Sequence, residues 1–291
     1  MDVACLAVNR HHSAVRRRLA TFMLAGIAAA LLPGIAAAGE YPLWELGAGA
    51  TVLRLPDYRG SDESRWYVYP IPYFVYRGEK LRVERASARG LFFRSERVEL
   101  DVSVNATPPV DSSKNAARRG MPDLDPTIEI GPSLVFKLYE NPTSGTRTSL
   151  QLPVRTVIAT DLGDFKHAGW VFNPRINTDL VLGTQWRLGI VAGPIFATRR
   201  YHEYFYSVGS AFQTPERPAF TAGGGYSGTQ ATLALSRRFD KTWVGAFVRA
   251  DNLSATAFEN SPLLRSRNTF LAGVAVSWIF AESGKRVEAD D

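Results

Sequence analysis

Residues 268–280 read NTFLAGVAVSWIF. In an extended chain Phe270, Ala272, Val274, Val276, Trp278 and Phe280 share one face, because strand side chains alternate with period two. The segment ends on two aromatics, and only AESGKRVEADD follows. How such a strand is read decides the fold. A soluble sandwich would bury the apolar face, whereas a membrane barrel would turn it outward to lipid and its polar face inward.

The same alternation recurs upstream. In RVELDVSVN (97–105), Val98, Leu100, Val102 and Val104 oppose Arg97, Glu99, Asp101, Ser103 and Asn105. In 127–139, Ile128, Ile130, Leu134, Phe136 and Leu138 oppose Glu129, Ser133 and Lys137. In 150–158, Leu150, Leu152, Val154 and Ile158 oppose Gln151 and Arg155. In 170–182, Trp170, Phe172, Ile176, Leu180 and Leu182 oppose Asn173, Arg175, Asn177 and Asp179. Several of these segments run to ten residues or more, where soluble strands average about five or six. Trp44, Trp66, Tyr67, Tyr69, Tyr139, Trp170, Trp186, Trp243, Trp278 and Phe280 gather near segment ends, as interfacial girdles do.

Connection lengths alternate as well. Counting back from Asn268, the links are long (255–267), tight (239–241), long (201–222), tight (183–184), medium (161–167), short (140–146) and long (106–125). Outer-membrane barrels pair short periplasmic turns with long outer loops. The expectation is an all-β transmembrane antiparallel barrel of about 10–12 strands, closed by pairing the last strand with the first near Trp44–Leu53. The higher count needs two short strands, Lys80–Ala86 and Gly90–Arg94. Domains follow as a signal peptide (1–38), a barrel (39–280) and a polar C-terminal tail (281–291).

The signal is read from Arg10, Arg16, Arg17 and Arg18, the apolar run Leu19–Leu32, and Ala36-x-Ala38 before Gly39. The apolar run is short of the ~20 residues that a membrane-spanning helix needs. The whole chain carries 34 basic and 28 acidic residues, and cleavage removes four Arg and one Asp, leaving +3. That near balance gives no footprint for nucleic acid. Cys5, the one cysteine, leaves with the signal, so neither a disulfide nor a cysteine metal site is expected.

No catalytic set stands out. His167 and His202 both fall in expected outer loops, where a histidine reads as a solvated bystander. Gly223-Gly224-Gly225 lacks the Lys-Ser/Thr of a phosphate loop and reads as close packing at a strand start. Asp57, Asp62, Glu63, Asp123 and Asp125 read as hydrated loop acids rather than a cation site. No enzyme activity, metal or cofactor is expected. The expected lumen set mixes signs: Arg97, Glu99, Asp101, Glu129, Lys137, Arg155, Arg175, Asp179 and Arg187. Mixed charges pair across a small barrel and fill it, whereas a single-sign ring would indicate an ion-selective pore.

Trp66–Tyr76 holds Pro70-Ile71-Pro72, which strand interiors usually reject. Two residues apart, both missing N–H groups point at the same neighbour, so one seam loses two donors; the alternative is that the segment begins above the bilayer and the prolines merely bend it.

DYRGSDESRWYVYPIPYFVYRG (57–78) resembles the N-terminal signature of the MltA-interacting protein/OmpV family of outer-membrane proteins. RRGMPDLDPTIEIGPSLVF (118–136), YHEYFYSV (201–208), RPAFTAGGGYSG (217–228) and NSPLL (260–264) match in the same order. The signature residues carried over are Asp57, Tyr58, Arg59, Gly60, Ser61, Pro70, Pro72, Tyr73, Ser261 and Pro262. A departure is the end, where a polar tail follows Phe280; Trp278 and Phe280 are taken as the assembly signal. The resemblance implies residence in the outer membrane of a Gram-negative bacterium, against lipid bilayer and lipopolysaccharide. It also implies a non-enzymatic scaffold linking a murein lytic transglycosylase to a penicillin-binding synthase. The residues leave two alternatives open: a narrow channel for small or cationic solutes, and a surface binder using loop aromatics such as Tyr201, Tyr204, Phe205 and Tyr206.

Overall fold

A computed structural model describes residues 38–290 except 79, 80, 85, 86, 91, 92, 96, 162, 184 and 185. Residues 1–37, the body of the expected signal peptide, lie outside the described residues, as do Thr184 of one expected turn and Asp291.

The chain forms β1 (Ala38–Pro42), β2 (Trp44–Pro56), β3 (Ser64–Arg77), β4 (Leu81–Glu84), β5 (Ser87–Gly90), β6 (Phe93–Arg94), β7 (Val98–Thr107) and β8 (Thr127–Asn141). It continues through β9 (Thr146–Thr160), β10 (Phe165–Phe172), β11 (Arg175–Leu182), β12 (Trp186–Ala197), β13 (Gly225–Phe239), β14 (Thr242–Asn252), β15 (Asn268–Glu282) and β16 (Arg286–Asp290). One α-helix is described, α1 (Arg199–Tyr206). All pairings are antiparallel, and β2 to β15 make one 14-stranded sheet. β10 and β11 share neighbours β9 and β12, so they form one stave broken at Asn173-Pro174. Taking β5 with β6 likewise gives twelve staves, at the upper end of the expected count.

β15 pairs with β2, with Val274 opposite Val52, which joins the last long strand to the first. The sheet's remaining ends are β5 and β6, and β5 lies beside β7, so the sheet turns back on itself. Polarity is inverted relative to a soluble sandwich. On β15 Phe270, Trp278 and Phe280 are 61%, 62% and 54% exposed, while Thr269 and Ser277 are 4% and 1% exposed. Leu233 and Leu235 face out and Thr232 and Ser236 face in on β13, as do Ile130 and Leu134 against Glu129 and Ser133 on β8. Apolar-out, polar-in strands are stable only with hydrocarbon outside.

Three expectations are corrected. Trp170–Leu182 is not one continuous strand, because Pro174 cannot donate to a ladder; the Asn173 side chain instead donates to Pro194 O at 2.9 Å. The last long strand passes Phe280 and ends at Glu282, and the expected polar tail is structured: β16 pairs with β1 from Ala38↔Asp290 to Pro42↔Arg286. The long link 201–222 opens with α1 rather than with irregular chain. Tyr201, His202, Phe205 and Tyr206 recur at i, i+1, i+4 and i+5, which gives one buried helical stripe.

Candidate functional site: the outer lid and the lumen

The signature loop between β2 and β3 folds into the barrel mouth. Asp57 receives two bonds from Arg65, at 2.8 and 3.1 Å, and one from Asn115 Nδ2 at 2.9 Å. Tyr58 donates its hydroxyl to Leu263 O at 2.7 Å and packs edge-on to Tyr206, centroids 6.3 Å apart. Burial pushes the Tyr58 phenol well above its usual range, with nearby Arg118 opposing. Arg59 reaches Asp251 at 3.0 Å and Ser227 at 3.3 Å, and its carbonyl accepts the Tyr206 hydroxyl at 2.9 Å. Gly60 has φ +91°, and its carbonyl accepts from the N–H groups of Arg265 and Ser266 at 2.8 and 3.0 Å. A Cβ there would sit 2.4 Å from Leu264 Cδ1, so this turn requires glycine. Ser61 Oγ accepts from Asn115 Nδ2 at 3.2 Å, and Ser261 Oγ donates to Tyr206 O at 2.6 Å. Pro262 follows, half-buried.

These contacts tie four outer loops into one lid. Tyr58, Val110, Leu124, Tyr201, Phe205, Tyr206, Leu253 and Phe258 share one apolar cluster with barrel-wall residues such as Val157 and Ile195. Arg118, at 3% exposure, donates to Phe205 O at 3.2 Å. His202 is also part of the lid, which corrects its reading as a solvated bystander. It is fully buried, donates from Nδ1 to Gly223 O at 2.6 Å, and meets Phe258 edge-on with centroids 4.8 Å apart. Burial lowers its pKa to about 4. His167 stays exposed beside Trp170. Gly224 lets the strand start pass Arg199, whose N would lie 2.6 Å from a Cβ.

The lumen residues sit below this lid. Glu129 and Arg155 are buried and paired at 2.8 Å, with Arg155 also on Ser103. Lys137 meets Glu99 at 3.0 Å, Arg175 donates to Gln151 at 2.8 Å, and Asp179 accepts from Asn177 at 2.7 Å. Asp101 accepts the Val102 N–H at 2.7 Å, and Arg187 is half-buried opposite Ser236. Arg97 departs from the expected set: it precedes β7 and is exposed at the periplasmic end, beyond the alternation that would point it inward.

The periplasmic end has a cluster that sequence reasoning missed. Glu45 is fully buried and accepts from Tyr73 at 3.1 Å, from Arg77 at 3.3 Å, and from Arg238. Arg77 also donates to Pro42 O at 2.8 Å, joining the β1–β16 ribbon to the barrel. The signal was available, since Glu45 and Arg77 lie on inward-facing positions near strand ends. Pro70 and Pro72 lie mid-β3 with side chains outward, while Trp278 and Phe280 face out with centroids 6.1 Å apart.

Among the described residues no cluster of three or more His, Cys, Asp and Glu could hold a metal ion. The contacts of His202 are the Gly223 carbonyl and the rings of Tyr201, Tyr206 and Phe258.

An antiparallel sheet that turns back on itself, with an apolar exterior, a charged interior and a folded lid, defines an outer-membrane β-barrel protein. The chain belongs to the MltA-interacting protein MipA family, whose model matches residues 46–280. Among curated proteins none matches. Similar solved structures include a bacterial polysaccharide outer membrane secretin, at 8% identity and TM-score 0.36, covering 82% of this chain and 99% of that one. A Pseudomonas aeruginosa FadL homologue is 10% identical, TM-score 0.33, covering 84% and 77%. The Pseudomonas putida toluene transporter TodX is 12% identical, TM-score 0.28, covering 89% and 76%.

Proposed function

We propose that this chain is a non-enzymatic scaffold of the Gram-negative outer membrane that holds a murein lytic transglycosylase, and with it a penicillin-binding synthase, at the periplasmic mouth. The observation that carries the reading is the direction of the closure. The outer loops turn inward and lock into a lid, so the rings a surface binder would present (Tyr201, Phe205 and Tyr206) are buried. At the other end the first and last described strands form the β1–β16 ribbon, anchored by Arg77, which offers a structured periplasmic surface. Membership in a family described by interaction with MltA agrees with a murein-enzyme partner. The docking surface is the ribbon, the turn at 142–145 and the turn at Asp240-Lys241.

Purified protein should capture a lytic transglycosylase, identified by mass spectrometry, from periplasmic extract. Replacing Arg286–Asp290 with a Gly/Ser segment, or rewriting 140–146, should reduce capture. Phe258→Ala, in the lid, should not. Loss of capture only in the lid variant would replace the scaffold with surface binding. Steady conductance in planar bilayers with no capture would replace it with a channel.

A further inference from the structure

Two guanidinium groups share one carboxylate beneath the lid. Arg59 donates to Asp251 Oδ1 at 3.0 Å, and Arg249 donates to both oxygens of the same carboxylate, at 2.9 and 3.1 Å. Asp251 is buried, and the two arginines have no other carboxylate partner among the described residues. Arg59 Nη1 donates to Ser227 Oγ at 3.3 Å, but Arg59 Nη2 is buried with no hydrogen-bond partner. The neighbouring acids are already matched one to one, Glu129 with Arg155 and Asp57 with Arg65. Three guanidiniums, of Arg59, Arg155 and Arg249, thus meet two carboxylates, of Asp251 and Glu129, and one positive charge stays unbalanced. A buried charge without a counter-charge is costly.

All three arginines line one cavity of about 110 Å³ between the lid and the lumen. Tyr201 closes it from the lid side, and Glu129, Arg59, Arg249 and Arg155 all act on that residue electrostatically, so the three cations gather around it. Gln230 adds an amide to the lining. Leu55, Ala106, Ile195 and Leu271 supply apolar wall. The volume exceeds the ~10–15 Å³ that one water requires and falls short of the ~150 Å³ cavity that takes benzene. A small anion fits it and an aromatic ring does not.

We infer that this cavity binds a short-chain carboxylate of the acetate class. A monoanion balances the one excess charge, and a carboxylate accepts guanidinium N–H groups in the paired geometry they favour. Its hydrocarbon end lies against the apolar wall. A phosphate dianion would overshoot the charge and set oxygen atoms against that wall, where they would lack partners. The site stands under the outer lid, apart from the periplasmic docking surface, so the two readings succeed or fail separately.

The test titrates carbon-13-labelled acetate into the purified full chain in lipid nanodiscs, in chloride-free buffer, and follows the bound signal by NMR. The native protein should show saturable binding. Arg249→Gln leaves Asp251 to Arg59 alone and removes the excess charge, so affinity should fall roughly tenfold or more, the worth of one charge-assisted pair. Gln230→Glu keeps every guanidinium but supplies a fixed carboxylate from the lining, and should weaken binding as much; it is the second arm should Arg249→Gln not fold. Arg187→Gln removes a lumen charge outside the cavity lining and should leave affinity within about twofold. Absence of saturable binding, or native affinity in both cavity variants, overturns the site. An equal loss in Arg187→Gln would make the attraction a property of the whole lumen, and displacement of acetate by equimolar chloride would put a halide in place of the carboxylate; either result overturns the proposal.

Discussion

Tyr206 and Phe258 stack face to face, ring centroids 3.7 Å apart and planes within 5°, although 52 positions separate them in the chain. Both are essentially buried, and Tyr206 also donates to Arg59 O and accepts from Ser261 through its own carbonyl. The pair is the point where three outer loops meet. Phe258→Ala removes a buried ring and should cost the closed lid about 3–5 kcal/mol. Hydrogen exchange at 198–224 should speed up while strand amides stay protected; uniform loss of protection would mean the lid and the barrel do not open separately.

His202 makes the lid sensitive to acid. Its pKa falls from 6.5 to about 4 when buried, so between those values the open lid binds a proton that the closed lid refuses. Closed-lid stability is therefore complete above pH 6.5 and declines as pH falls through that window, by roughly 3 kcal/mol in all. Lid amide exchange measured from pH 7.5 to 4 should follow this slope. His202→Asn keeps a donor for Gly223 O but does not titrate, and should flatten the histidine part of it.

Gly60 has φ +91° with Leu264 against it. Gly60→Ala should destabilise the lid by roughly 1–3 kcal/mol through backbone strain, with added crowding of Leu264. The barrel should still form, as judged by altered gel migration before heating. A variant as resistant to lid exchange as the native chain would show the turn to be adaptable.

Glu45 is fully buried between Arg77 and Arg238. Glu45→Leu leaves two guanidinium groups facing each other and should cost about 3–5 kcal/mol. The temperature at which the folded gel band disappears should fall, and restoring balance with Arg77→Leu should recover part of it.

Trp278 and Phe280 stand on the lipid face of the last long strand. Changing both to Asp should abolish assembly, because lipid-facing charge is costly. Truncation after Glu282 should leave the barrel able to form, since β15 closes on β2 upstream of that point. The opposite pair of results would put the end of the barrel elsewhere.

The barrel was legible because its signal is physical and repeated. Each stave, as with Val274 and Val276 around Ala275, has to meet lipid on one side and the lumen on the other. Pro70 and Pro72 also announced a seam short of donors, and both stand mid-strand with their side chains outward. The lid was harder to read. YHEYFYSV has helical spacing, but eight residues beside a strand pattern give little to weigh against a loop. His202 reads as solvated until Phe258 arrives from the next loop. Glu45, Arg77 and Arg238 are far apart in sequence, and only the strand order β3-β2-β15-β14-β13 brings them across one end of the lumen. The β1–β16 ribbon has no periodicity long enough to notice.

The lid has one further implication, for biogenesis. Its parts come from Asp57–Ser61, Asn115–Arg118, His202–Tyr206 and Phe258–Leu263, which are spread over most of the chain. A strand set one residue out of register would turn its faces over and carry its loop to the wrong place. The lid can therefore close only when the four hairpins that carry these loops have been placed correctly, so a closed outer mouth doubles as a certificate of their assembly.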